Sequence, residues 1–176
     1  MQRRHALLAA TGAAAATMLT VPAAFAQMAA IGGPRYRDLT LELGGFSKQV
    51  ATLGQQRATH WQIRQFGTFE VDEQTAIAQV LTNTDYPPPT GMTGAQRQFY
   101  NSLAGLSGPA FDRAFLEGML GVHQELLNAQ QEYLSGNPVL QPDLEHIAVL
   151  ARMVIMQHMA MLTDMQHWIP GMMASR

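Results

Sequence analysis

Residues 111–127 read FDRAFLEGMLGVHQELL, and their spacing decides the class of fold. Phe111, Phe115, Leu116, Met119, Leu120, Val122, Leu126 and Leu127 recur at intervals of three and four. At about 100° per residue they cover about half of a helix and leave Glu117, Gln124, Glu125 and Glu132 on the other half. His123 falls inside the apolar half, and Asp112 and Gln130 share its stripe. A polar group on that side needs a hydrogen-bond partner, a charge partner or a metal ion, because burying it alone is unfavourable.

The same periodicity extends outward in both directions. Prolines divide the chain into proline-free blocks at 35–86, 90–108, 110–137 and 143–169, and none shows strand-like alternation. The predicted helices run over 35–57, 60–83, a short 94–105, 109–135 and 142–168. Thr59–Gln62 and Thr93–Gln96 have the spacing of capping boxes. Ser107-Gly108-Pro109 is a start signal and Gly136-Asn137-Pro138 a stop signal. The loop from Asp85 to Gly91 holds three consecutive prolines and is stiff. Gly44-Gly45, inside the first helix, predicts a kink or a close helix–helix approach. The expected fold is an all-α, antiparallel four-helix bundle with one short extra helix.

The first residues read as an export leader. Arg3 and Arg4 precede an apolar run from Ala6 to Val21, and Ala24-Phe25-Ala26 offers a cleavage site before Gln27. The expected organisation is a signal peptide at 1–26, a flexible segment at 27–34, the bundle at 35–169 and a tail at 170–176. The paired arginines leave two routes open, the general secretory one and the twin-arginine one. No later run reaches the ~18 uninterrupted apolar residues of a membrane span. The expected product is therefore soluble, exported and periplasmic, without a transmembrane helix after processing. There are no cysteines, so packing alone must stabilise it. Without the two leader arginines its net charge is about −4, with Lys48 as its single lysine. That balance argues against nucleic acid and anionic lipid as partners.

Each long helix places polar groups at or inside its apolar arc. In 60–83 the arc of Ile63, Phe66, Phe69, Ile77, Val80 and Leu81 contains Glu70 and Glu73 and is flanked by Gln74. In 142–168 the arc of Leu144, Ile147, Leu150, Ala151, Val154, Leu162 and Met165 contains His158. In the first helix Leu39, Leu43, Phe46, Val50 and Leu53 define the arc. Glu70, Glu73, Gln74, His123 and His158 thus form a candidate polar core cluster. Its members can satisfy one another, or Glu73, His123 and His158, with or without Glu70, can hold iron, zinc, manganese or copper. The Glu-x-x-His spacing of di-iron bundles is missing, since Leu120 and Ile155 stand three before the two histidines.

Seven of the twelve methionines lie from Met153 onward, and MQHMAM at 156–161 raises soft copper(I) as a second metal reading. Flexible core filling is the alternative. Nucleophile-elbow, zinc-protease, P-loop and dinucleotide motifs are all missing, so no catalytic residue is assigned. His60-Trp61 and His167-Trp168 repeat a dipeptide at helix ends, which anchors the bundle or presents a surface to a partner in the cell envelope.

Three further patterns carry a resemblance. Gly44-Gly45 with Gly54, Arg57 and Ala58, then Ile63-Arg64, Phe66 and Val71-Asp72-Glu73, then LSGPAFDRAF at 106–115 followed by His123, resemble the exported bacterial family called domain of unknown function 4142. The resemblance covers roughly 35–168 and implies a ferritin-like fold. It also implies an Asp-His pair on each of two helices. This chain has Glu73-Gln74 at one and Val122-His123 at the other. The family's late histidine corresponds to His158, and an acid after the glycine pair falls near Ser47 or Lys48. The functional expectation is a periplasmic binding or envelope-stress protein, with a metal-binding protein and an interaction module as alternatives.

Overall fold

The computed structural model describes residues 31–85, 87, 90–136 and 141–168. The leader, its cleavage site at Ala26 and Gln27, the stop signal at Asn137-Pro138 and the tail at 170–176 lie outside the described residues. Five helices form: α1 (Gly33–Arg57), α2 (Trp61–Thr82), α3 (Gly94–Ala104), α4 (Gly108–Gly136) and α5 (Pro142–Trp168), with no strand among the described residues. Their ends fall within two residues of the predicted ones. Pro34 sits in the first turn of α1, where its missing N–H is not needed. Asn83 ends α2 in the left-handed conformation, with φ 52°.

Paired contacts give the topology. Ser47 meets Glu70 and Gln55 meets Thr68, so α1 and α2 run antiparallel. At their closest approach a Cβ on Gly67 would lie 2.7 Å from the Ala51 carbonyl oxygen, so only glycine fits there. Tyr36 meets Gln130 and Thr59 meets Asp112, which makes α1 and α4 antiparallel as well. Helices α4 and α5 form the second hairpin, and α2 touches α5 only lightly. The ring order is thus α2–α1–α4–α5. Helices α2 and α4 lie parallel across the diagonal, and the connection carrying α3 crosses between them.

The core follows from this ring. Phe46, Phe66, Phe111, Phe115, Leu116, Met119 and Leu162 fill the main cluster. A second cluster at one end stacks Tyr36 on Tyr133 with ring centroids 4.2 Å apart. Helix α3 seals a flank: Leu103 is buried, and the Phe99 ring lies where a Cβ on Gly118 would be. The capping box at Thr93–Gln96 forms as expected. Arg57 closes the other end of α3 by donating to the carbonyls of Ala104 and Leu106.

Two readings of the sequence are corrected. Thr59 does not cap α2, whose N-cap is His60 without a side-chain bond. Buried Asp112 on α4 instead accepts from the Thr59 amide at 2.9 Å, the Thr59 hydroxyl and the His60 amide at 3.3 Å. A carboxylate from another helix thus does the capping, with charge complementary to the helix start. The buried arc of α5 is also rotated, by roughly 40°, from the expected one. Ala148 and Ile155 are buried, whereas Leu150 is 60% exposed. Because α5 packs mainly on α4, its outer face keeps Val149, Leu150, Met153 and Met156 exposed. By length and composition alone α5 is apolar enough to cross a membrane, and 28% of its most apolar window is buried in the bundle. In α2 the same light packing leaves Phe69 and Val80 exposed.

Candidate metal centre

Three helices bring Glu70, His123 and His158 together midway along the bundle. Glu70 on α2 and His123 on α4 are fully buried, and His158 on α5 is 7% exposed. Glu70 Oε2 lies 2.9 Å from His158 Nδ1 and 3.3 Å from His123 Nε2, and the two histidine nitrogens are 3.3 Å apart. These three atoms all lie within 4.8 Å of one another. Phe66 packs against both imidazoles, with centroids 5.8 Å and 5.1 Å away, and makes one wall apolar.

Each donor is held through its other atom. His123 Nδ1–H donates to the Met119 carbonyl at 2.8 Å, which turns Nε2 to the centre. His158 Nε2 lies 3.4 Å from Glu73 Oε2, which leaves Nδ1 for the centre. Glu70 Oε1 accepts from Ser47 Oγ at 2.5 Å and from Gln74 Nε2 at 3.1 Å, leaving Oε2 inward. Hydrogen-bonded outer partners of this kind fix tautomers and orient carboxylates at metal sites. Gln74 stands where the family resemblance leads one to expect a histidine, and Ser47 stands near the place, at Ser47 or Lys48, where it leads one to expect an acid. Here both hold Glu70.

The electrostatics follow from burial and charge. Burial alone would raise Glu70, but hydrogen bonds from His123 and His158, the charge of His123 and the Ser47 hydroxyl outweigh it, so the carboxyl is held well below its usual range. Glu73 goes the other way. Burial and the nearby Glu70 charge push it up to about 7, against the pull of the histidines. Its Oε1 is buried without a hydrogen-bond partner among the described residues. Burial lowers His158, but the bond and charge of Glu70 and the charge of Glu73 dominate, and its pKa is raised. Without a metal, an imidazolium at His158 can donate to both carboxylates. With a metal, its Nδ1 proton must leave, because a ligating histidine is neutral at that nitrogen.

The sequence-predicted residues are therefore arranged in two shells. Glu70, His123 and His158 converge, Gln74 supports Glu70, and Glu73 supports His158 from outside. His123 pairs with Glu70 rather than Glu73. Two imidazoles and a carboxylate suit zinc, iron(II) or manganese(II), and a three-donor set leaves coordination positions open. In the methionine run Met156 and Met161 are exposed, whereas Met159 packs against the core. Sequence reasoning touched Ser47 only through the family's acidic position near Ser47 or Lys48 and did not place its hydroxyl on Glu70. Its place one residue past Phe46, on the buried edge of α1, was the available signal.

The protein is thus a four-helix bundle with a buried carboxylate–bis-histidine centre. It belongs to the family described as Domain of unknown function (DUF4142), whose model matches residues 37–165. No curated protein and no solved structure matches the chain.

Proposed function

We propose that this protein binds one divalent transition-metal ion, of zinc, iron or manganese type, through Glu70, His123 and His158. The convergence of three donor atoms within 4.8 Å, each fixed from behind by a second group, carries the reading. The single crossover between α2 and α4 supports classing the bundle as ferritin-like, a fold that builds metal sites from inward Glu and His. The arginine pair and A-x-A site support an exported, periplasmic protein whose metal is acquired there. The test is the metal content of protein purified natively from the periplasm, followed by zinc titration of metal-free protein. About one equivalent is expected, and less than about a tenth of an equivalent both as isolated and after titration would sink the reading.

An envelope interaction module is the second reading. The observation favouring it is exposure: Trp61 is 60% and Trp168 81% exposed, beside an apolar outer face on α5. Of the proline loop, Pro87 and Thr90 lie beside Gly44–Gln49 on α1 rather than at that end. Crosslinking from Trp168→p-benzoylphenylalanine in whole cells should trap one dominant envelope protein if this reading holds.

A further inference from the structure

Helix α5 carries two stripes. Ala148, Ala151, Ile155 and Leu162 face the core, whereas His146, Val149, Met153, Met156, Ala160 and Thr163 are exposed. At about 100° per residue the exposed stripe lies opposite the buried one, on the outer edge of the ring of helices. Helices α4 and α2 pack on the buried side of α5, so neither covers this stripe. Its members follow one another at intervals of three and four, the spacing of a coiled-coil seam. The side of a helix that faces away from its bundle is normally polar. Here the four middle positions, from Val149 to Ala160, are all apolar, with Met153 51% and Met156 56% exposed. The seam also reads alike in both directions. Polar His146 and Thr163 end it, Val149 and Ala160 come next, and two methionines stand at its middle. An antiparallel copy of α5 therefore sets like against like, which is the self-complementarity that a two-fold interface requires.

We propose that α5 is the contact between two copies of this protein, antiparallel about a two-fold axis that passes between residues 154 and 155. Met153 then packs on the partner's Met156, Val149 on the partner's Ala160, and His146 faces the partner's Thr163. Half the girth of a helix 10–12 Å across, along the seam's roughly 26 Å, gives about 500 Å² per copy. A total near 1,000 Å² is that of a weak, reversible complex and not of an obligate dimer. One pair of charges opposes the contact. In this register exposed Asp164 stands beside the partner's Asp143 at either end of the seam. Glu70, His123 and His158 lie on the inner side, so the contact does not depend on the metal centre.

The experiment is sedimentation velocity at concentrations up to about 200 µM, on metal-free and zinc-treated protein alike. A dimer with a Kd on the order of 10 µM is expected in both, so the result is read independently of whether any metal binds. Met153→Glu puts an unpaired charge at the middle of the seam and should weaken the dimer at least about tenfold, with circular dichroism unchanged because the side chain is exposed in the single copy. Asp164→Lys turns the rim repulsion into attraction and should tighten it by about fivefold. The chain has no cysteine, so introduced ones report the register. Val149→Cys mixed with Ala160→Cys should give a disulfide-linked dimer under diamide. His146→Cys alone should not link, because the two copies of residue 146 stand roughly 25 Å apart. Monomer alone at the highest concentration, a folded Met153→Glu that dimerises as well as the parent, or self-linking of His146→Cys would each overturn the proposal. A monomer that floats with phosphatidylcholine vesicles would overturn it too, and would give the seam to a membrane.

Discussion

His158 faces Glu73 with the ring nitrogen that does not face Glu70, 3.4 Å against 2.9 Å. One imidazole therefore links a carboxylate in the centre to a carboxylate at its edge. Glu70 is sealed, whereas the Glu73 side chain keeps 19% of its surface in solvent. The least sealed side of the centre is thus the light contact between α2 and α5.

Outer-shell support sets the first prediction. Glu73→Gln keeps the volume but removes the carboxylate that orients His158, so zinc affinity should fall by about 10–100-fold. His123→Ala and His158→Ala remove donors and should abolish stoichiometric binding. Calorimetry on metal-free protein separates the two cases. Equal loss in all three variants would mean that Glu73 is itself a ligand.

The pH dependence of the metal-free protein is the second. Glu73 rises in the fold from 4.5 to about 7, so its contribution is complete below about 4.5 and is lost as pH rises through 7. His158 is raised above 6.5, so its contribution is complete below that value and is lost above its folded one. Glu70 is depressed, so its contribution is present above 4.5 and is lost only in strong acid. Melting should therefore be highest near pH 5 and decline by about 5 °C toward pH 8. Zinc-loaded protein should show the opposite slope, because ligation needs a deprotonated His158 Nδ1. Parallel slopes with and without zinc would contradict the assigned centre.

Breaking the buried ion pair is the third. Glu70→Ala leaves both histidines, the Ser47 hydroxyl and the Gln74 amide without their shared acceptor. A loss of about 3–5 kcal/mol is expected from a buried pair broken on one side. For a chain of this size that corresponds to a fall in Tm of roughly 10 °C, read by calorimetric melting of metal-free protein.

Capping across helices gives the fourth. Asp112→Ala strips the acceptor from the Thr59 and His60 amides and should cost about 2 kcal/mol. Thr59→Ala removes only the hydroxyl contact and should cost less than half of that. If the two variants lose equal stability in urea titrations, Asp112 is not the cap of α2.

Much of the fold was legible from local pattern. Apolar residues at intervals of three and four, prolines at the breaks and the Thr93–Gln96 box located five helices within two residues at each end. Helix periodicity is a property of consecutive residues, so a single chain segment carries it. The histidines at 123 and 158 were legible for the same reason, each falling inside an apolar arc. The rotation of α5 was not legible, because which side of a helix is dry depends on how many neighbours it has. Here α4 covers α5 well and α2 covers it poorly, so Leu150 faces solvent and Ile155 does not.

What the sequence determined by itself is the helical class, the order of the helices and the inward placement of Glu70, Glu73, His123 and His158. Only the tertiary structure chose between the two glutamates. They stand three residues apart, about 60° around one helix, and a small rotation of α2 would exchange them. Ser47 and Gln74 fix that rotation by holding Glu70 Oε1, and they do so from a neighbouring helix and a neighbouring turn. Contacts between helices, which no local spacing encodes, therefore decide which carboxylate meets the two imidazoles and which one guards them from outside.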